Sequence, residues 1–122
     1  MATVLIIDDN LDTRTILTTV LEADGHTAVV AEGGRAGLTA ATKQPVDVIV
    51  TDILMPDIEG IELIRRLRKI DPRAKIVAIS AAPQYLEMAR DLGADEVIAK
   101  PLAIATFRAV IARLLARPTG GA

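Results

Sequence analysis

Residues 47–60 read DVIVTDILMPDIEG, and this stretch decides the fold prediction. An apolar, β-branched run from Val48 to Val50 leads to a carboxylate at Asp52, and a loop marked by proline and glycine follows. Near-continuous apolar runs are typical of strands covered on both faces, as in a parallel sheet between helices. The segment therefore predicts a buried strand that terminates in a carboxylate.

Apolar runs and helical patterns alternate along the rest of the chain, which predicts five βα units. The predicted strands are residues 4–7, 27–31, 47–51, 75–79 and 96–98. The predicted helices run from Asp9 or Asn10 to about 24, from 33 or 34 to 44, from about 60 to 71, from 83 to 93, and onward from Pro101. Right-handed crossovers then give a doubly wound α/β fold. We expect one domain over residues 1–117 and a flexible tail over 118–122.

The composition excludes several classes of function. The chain has 122 residues, 51% of them hydrophobic, with a net charge of −2 and no cysteine. Without cysteine there are no disulfides and no thiol chemistry, and the near-neutral charge gives no reason to expect nucleic-acid binding. No stretch approaches the roughly 20 apolar residues that a membrane helix needs. We therefore expect a soluble, cytoplasmic domain that binds neither nucleic acid nor membrane.

Polar side chains stand at the ends of four predicted strands. Asp8 and Asp9 follow the first strand, Asp52 the third, Ser80 the fourth and Lys100 the fifth. Ligands of doubly wound folds bind outside the carboxyl ends of the strands, so these side chains should share one edge. Carboxylates suit Mg²⁺, and a lysine suits phosphate oxygens. Asp52 is then the candidate nucleophile, because carboxylates can form acyl phosphates.

In this order, these residues resemble the receiver domains of two-component response regulators, over about residues 3–116. The likeness rests on Asp8-Asp9, Asp52, Met55-Pro56, Gly60, Ser80-Ala81 and Lys100-Pro101. It implies a five-stranded parallel sheet of order 2-1-3-4-5 flanked by five helices, the flavodoxin-like (CheY-like) three-layer sandwich.

The resemblance also implies an acceptor and a metal site. Asp52 would accept a phosphoryl group from a histidine kinase or a histidine phosphotransfer protein. Asp9, Asp52 and the backbone carbonyl of Leu54 would bind Mg²⁺ directly, and Asp8 would act through water.

Further roles follow from the same resemblance. Lys100 would contact the phosphoryl group, Ser80 would shift toward it, and the small Ala81 would leave the approach open. The Lys100–Pro101 peptide would be cis. Many receivers have an aromatic residue three positions before this lysine, whereas this chain has Val97. The aromatic half of the usual switch is thus missing, which leaves either an atypical switch or a relay.

The resemblance also bears on output and lifetime. We expect the face formed by the fourth helix, fifth strand and fifth helix to engage a downstream protein, with a homodimer left open. Because the chain ends at Ala122, we expect a stand-alone module. Neither Leu54 nor Ala82 can orient a hydrolytic water by hydrogen bonding, so we expect slow self-dephosphorylation and no enzymatic turnover.

Three other interpretations stay open at this point. A degenerate receiver would bind partners without phosphorylation, and a Mg²⁺-dependent phosphohydrolase would use Asp52 as its nucleophile. The hydrolase is disfavoured because such enzymes carry a second acid at the position of Leu54. Taken singly, Asp8-Asp9-Asn10 could be a helix cap. We interpret the basic run 65–69 as a solvated helix face, and His26 as a surface or packing residue.

Overall fold

The strands and helices of the computed structural model, which describes residues 1–117, alternate as predicted. They are β1 (Thr3–Ile7), α1 (Leu11–Ala23), β2 (Thr27–Ala31), α2 (Gly34–Lys43), β3 (Val48–Asp52), α3 (Gly60–Ile70), β4 (Lys75–Ser80), α4 (Pro83–Asp91), β5 (Glu96–Ala99) and α5 (Ile104–Ala116). All strand pairs are parallel, and the order is β2-β1-β3-β4-β5. This confirms the fold and order that the resemblance implied. The tail predicted at 118–122 lies outside the described residues.

Several predicted boundaries differ from the observed ones by one to three residues, among them the start of β1 and the ends of β4, α4 and β5. β3 runs from Val48 to Asp52 rather than from 47 to 51, so Asp52 is the last residue of the strand. Its pairing with Ile79 of β4 extends the ladder by one residue. α5 begins at Ile104, some distance beyond Pro101.

The first helix starts where its capping side chain lies. The Oδ1 atom of Asn10 accepts a hydrogen bond from the backbone N–H of Thr13 at 3.0 Å, which satisfies one of the free donors of the first turn. Of the two residues at which this helix was predicted to begin, Asp9 and Asn10, it is therefore Asn10 that caps it. The carboxylate of Asp9 is left for another role.

The core has two layers because strand side chains alternate between the faces of the sheet. On one face, Leu5, Ile7 and Ile49 pack in a cluster with Leu63 and Leu67 of α3. On the other face, the second cluster joins α1 and α5 to the sheet, and its members include Val4, Ile6, Val48, Val50, Leu17, Leu21, Phe107, Ile111 and Leu114. The central strands are thus covered on both sides. Their polar chemistry is confined to their ends.

Arg68 departs from the prediction that the basic run 65–69 faces solvent. Its guanidinium donates hydrogen bonds to the carbonyls of Ala74 at 2.6 Å and Gly93 at 2.8 Å, and to the carboxylate of Asp95 at 3.2 Å. It thereby joins the end of α3 to the segments that lead into β4 and β5. Arg65, like Lys69, is exposed as predicted.

Gly60 closes the loop that leaves β3. Its N–H donates to the carbonyl of Ile53 at 3.1 Å, and a Cβ at this position would collide with the carbonyl oxygen and the Cα of Ile53. Both obstacles are backbone atoms, which cannot rotate away. The loop can therefore return to α3 at this point only without a side chain.

We expect Gly60→Ala to lower the free energy of unfolding by about 3 kcal/mol, the upper end of the usual cost of overpacking. Gly25→Ala is the comparison, because Gly25 has a φ of 86° but no atom within 4 Å of the position that a Cβ would occupy. Its cost should be only about 1 kcal/mol, from the left-handed backbone. Urea denaturation would measure both values, and an equal or smaller loss for Gly60→Ala would contradict the steric argument.

Among the described residues, no helix is both long and apolar enough to cross a membrane.

Candidate functional site

The three predicted carboxylates come together at the carboxyl edge of the sheet. β1 and β3 are neighbours, and their register pairs Ile7 with Thr51, so the next residues along the two chains are Asp8, just after β1, and Asp52, the last residue of β3. One carboxylate oxygen each from Asp8, Asp9 and Asp52 lies within 4.8 Å of the others. Oxygen ligands this close form a plausible binding site for a hard divalent cation.

Burial makes this carboxylate cluster electrostatically costly. The side chains of Asp8 and Asp52 are 3% and 7% exposed, whereas Asp9 is exposed. Loss of hydration raises the pKa of Asp8, and the charges of Asp52 and Asp9 raise it further. The backbone N–H of Asn10, which donates to Asp8 Oδ1 at 2.8 Å, and the charge of Lys100 act in the opposite direction.

Lys100 supplies the positive charge at the site. It follows β5, and its Nζ lies 3.2 Å from Asp52 Oδ2 and 3.7 Å from Asp8 Oδ2. Three carboxylates and one ammonium leave two formal negative charges uncompensated, which is the charge that one divalent cation would balance. The donor set and the charge therefore both fit Mg²⁺. The peptide bond between Lys100 and Pro101 is cis.

Ser80 lies at the end of β4, between β3, which ends at Asp52, and β5, which Lys100 follows. It is fully buried, and its Oγ accepts a hydrogen bond from the N–H of Ala82 at 3.1 Å. Its carbonyl accepts from the N–H of Lys100 at 3.0 Å. The hydroxyl that accepts from Ala82 can still donate its own proton. Ala81 is exposed beside it.

The loop after Asp52 folds back on the carboxylate. The N–H of Leu54 donates to Asp52 Oδ1 at 3.3 Å, and the N–H of Ile53 donates to the carbonyl of Ile79 at 3.0 Å. The Leu54 side chain is 50% exposed. The backbone of Leu54 is therefore next to the Asp52 carboxylate, while its apolar side chain is half-exposed.

Val97, where many receivers have an aromatic residue, contributes to the packing of the core. Val97 in β5 is half-buried and packs against the same core cluster as Tyr85 of α4. Tyr85 is also half-buried, so the one tyrosine of the chain is part of the packing on this side of the sheet.

One contact at the site had no signal in the sequence. Arg14 of α1 donates from Nη1 to the backbone carbonyl of Asp8 at 2.7 Å. The arginine lies six residues after Asp8 and within a helical pattern, where a charged residue is ordinary. Only the turn of α1 back over the end of β1 brings the two together.

Comparison with known proteins agrees with this geometry. The family model described as the response regulator receiver domain matches residues 4–112. The chain belongs to this family. Receiver domains are phosphoacceptor modules of two-component signalling rather than a family of enzymes, which confirms the general function that the sequence predicted.

Individual relatives show how far the similarity extends. A response regulator receiver protein of Anaeromyxobacter sp. (strain Fw109-5) is 40% identical over 102 residues, which are 82% of this chain and 43% of that protein. Sporulation initiation phosphotransferase F of Bacillus subtilis is 28% identical over 114 residues, 92% of each chain. This receiver chain spans about half the length of the first curated relatives it matches.

Solved structures give the same picture. Response regulator protein TrrA from Thermotoga maritima, in complex with Mg²⁺-BeF, has a TM-score of 0.85 and 28% identity, covering 93% of this receiver chain and 99% of that chain. A two-component response regulator from Clostridium difficile has a TM-score of 0.90 at 24% identity, a likeness of fold.

The raised pKa of Asp8 yields a stability prediction for the receiver without divalent cations. Between the unfolded and folded pKa values the folded chain binds more protons than the unfolded chain, so stability falls as pH rises through this interval. We expect Asp8→Asn, which can keep the acceptor for Asn10, to raise stability at neutral pH by about 1 kcal/mol, and less in acid.

Thermal unfolding in a chelating buffer would measure this gain. Asp9→Asn is the control, since it removes an equal charge from an exposed side chain and should gain less. A loss of stability in Asp8→Asn at neutral pH would contradict the claim that burial, together with the charges of Asp52 and Asp9, disfavours the ionised form of Asp8.

Proposed function

We propose that this receiver accepts a phosphoryl group on Asp52, with Mg²⁺, from a histidine kinase or a histidine phosphotransfer protein. The observation that supports this most directly is the meeting of three carboxylates with Lys100 at the carboxyl edge of the sheet. A solely structural acidic cluster would not need two buried carboxylates beside a lysine that contacts both. The absence of cysteine suits a cytoplasmic location, which we include in the proposal.

Each residue of the cluster has a defined part in this proposal. Asp9, Asp52 and the carbonyl of Leu54 would hold Mg²⁺, with Asp8 acting through water. The bound ion would neutralise charge as the phosphoryl group approaches a carboxylate. Transfer breaks the P–N bond of the donor phosphohistidine and forms an O–P bond to Asp52.

Lys100 and Ser80 would respond to the new group. When Asp52 is phosphorylated, the ammonium that now contacts Asp52 Oδ2 at 3.2 Å can pair with a phosphoryl oxygen. The buried hydroxyl of Ser80 would donate to another oxygen, and the exposed Ala81 would leave room for it. Because Ser80 accepts a hydrogen bond from the N–H of Ala82, a movement of Ser80 would also displace the segment that leads into α4.

The output surface in this proposal is the face formed by α4, β5 and α5. Met88 of α4 is 45% exposed, and Glu96 of β5 accepts hydrogen bonds from Arg113 at 3.0 Å and from Arg117 at 2.8 Å, which tie β5 to the end of α5. A downstream protein would bind there, and a second copy of the chain is the alternative occupant.

A phosphorelay role is the second candidate. Sporulation initiation phosphotransferase F, whose name states a transfer function, matches over 92% of both chains. Val97 in place of an aromatic residue also favours transfer over a large surface change. A switch from 1:99 to 99:1 needs roughly 5.5 kcal/mol of bias, whereas onward transfer needs no such bias.

Incubation with acetyl phosphate and Mg²⁺, followed by intact-mass measurement, tests the acceptor. We expect one added phosphoryl group on the wild type, none when Mg²⁺ is chelated, and none on Asp52→Asn, which replaces the nucleophile at similar size. Asp12→Asn is the matched control, because it changes an exposed carboxylate of α1 and should be modified like the wild type.

Modification of Asp52→Asn to the same extent would refute Asp52 as the acceptor. If no adduct forms with acetyl phosphate or with a phosphorylated histidine phosphotransfer domain, the phosphorylation-independent binding module becomes the better interpretation.

We expect the phosphorylated protein to persist for minutes or longer, because neither Leu54 nor Ala82 can orient a hydrolytic water. Leu54→Asn places an amide at the half-exposed position beside Asp52 and should shorten the lifetime by about tenfold. This is less than the roughly hundredfold low end of general acid–base catalysis, because an amide can orient a water but does not take its proton. Leu54→Met keeps the side chain apolar and should not. The decay of the phosphorylated mass peak measures all three, and a wild-type lifetime of seconds would contradict the prediction.

A further inference from the structure

Asp57, in the loop between β3 and α3, caps a helix that is distant in sequence. Its Oδ1 accepts from the N–H of Gly34 at 3.0 Å and from that of Ile58 at 2.9 Å, and its Oδ2 accepts from the N–H of Arg35 at 3.0 Å. The helix α2 has Gly33 at its own N-cap position, with no side-chain cap. The first turn of α2 is therefore capped from the loop beside the phosphoacceptor.

Two glycines, Gly33 and Gly34, allow the start of α2 to lie close to Asp57 and Ile58. A Cβ at Gly34 would lie 2.9 Å from Ile58 Cβ, and a Cβ at Gly33 would lie 3.1 Å from both carboxylate oxygens of Asp57. The Ile58 side chain is buried against this surface. We name the contact of residues 33–35 with Asp57 and Ile58 the α2 clasp. It combines a charged cap with a close apolar contact.

The hydrogen bonds of the clasp favour the ionised carboxylate. The N–H groups of Arg35, Gly34 and Ile58 lower the pKa of Asp57, with the N–H of Arg35 as the largest cause. A positive helix end also attracts a negative charge. The clasp is therefore present throughout the neutral pH range.

The clasp acts on the loop that contains Leu54. One end of this loop is fixed by the bond from Ile53 to β4, and the other by the bond from Gly60 to Ile53. Asp57 fixes the outer part of the loop to α2, three residues beyond Leu54. The loop is thus fastened on both sides of the segment whose backbone lies beside Asp52.

We propose that Asp57 is a positioning residue for the metal site, which holds the backbone of Leu54 in the conformation that binds Mg²⁺. This inference rests on the proposed function, because it concerns the same cation. Asp57 does not touch the cluster itself: its carboxylate bonds to the first turn of α2 and to the loop backbone. Its effect on the cation would be transmitted by the loop.

Isothermal titration with Mg²⁺ on the full chain tests the proposal. We expect Asp57→Ala to raise the Kd about tenfold, the lower end of the effect of removing groups that orient metal ligands. Asp57→Asn should fall between this variant and the wild type, since its amide oxygen can accept from α2 through one atom only.

Glu59→Ala is the matched control for charge. Glu59 is an exposed acid of the same loop, and its side chain makes no capping hydrogen bond. The substitution Glu59→Ala removes the same charge near the acidic cluster without releasing α2. The Kd of this variant for Mg²⁺ should stay within about twofold of the wild-type value, as expected for an exposed, screened charge. A Kd for Asp57→Ala equal to that of Glu59→Ala would overturn the proposal.

Hydrogen exchange of the backbone amides separates positioning from general stability. In Asp57→Asn, the amides of Gly34 and Arg35 should exchange faster than in the wild type, together with weaker Mg²⁺ binding. Faster exchange with an unchanged Kd would show that the clasp is only structural. Absence of Mg²⁺ binding by the folded wild type would instead refute the proposed function.

Discussion

The parallel pairing of β1 with β3 brings the carboxylates of Asp8 and Asp52 together, and the structure must offset their negative charge. β1 and β3 are neighbours in register, so the residues that follow Ile7 and Thr51 cannot avoid each other. Both carboxylates are buried, and burial raises the pKa of Asp8. Lys100 reaches them from beyond β4, and it offsets only part of their charge. The remaining formal negative charge is what one divalent cation would balance.

This concentration of charge is tolerated because the rest of the sheet is apolar. β3 is buried throughout, β4 nearly so, and helices cover both of their faces. The polar groups at the strand ends are therefore held by well-packed strands, which suits a site whose side chains must keep fixed positions. Hydrogen bonds fix the loops at this edge of the sheet. In the loop between β3 and α3, Gly60 bonds to Ile53 and Asp57 bonds to α2, and after β4 the N–H of Ala82 bonds to Ser80.

Prediction from the sequence succeeded where the signal was local or repeated. The alternation of apolar runs with helical patterns located every strand and helix among residues 1–117, with errors at the ends such as the last residue of β3. Asp8, Asp9, Asp52 and Lys100 were found because each stands at a strand end. Asn10 and Asp9 could not be separated as caps beforehand, since both residue types cap helices well. Arg14, Arg68 and Asp57 received no role, because each binds backbone groups that only the fold brings near.

The sequence by itself determined the fold class, the edge at which the chemistry lies and the residue types available there, because hydrophobic periodicity and strand-end residues are properties of the chain. The tertiary structure decided which atoms meet. Lys100 contacts Asp52 from 48 residues away, and Asp57 caps a helix that begins 23 residues earlier. Such contacts depend on strand order and on the direction in which each helix packs. No local pattern records these, since the same residue types satisfy a turn, a cap or a solvated surface equally well.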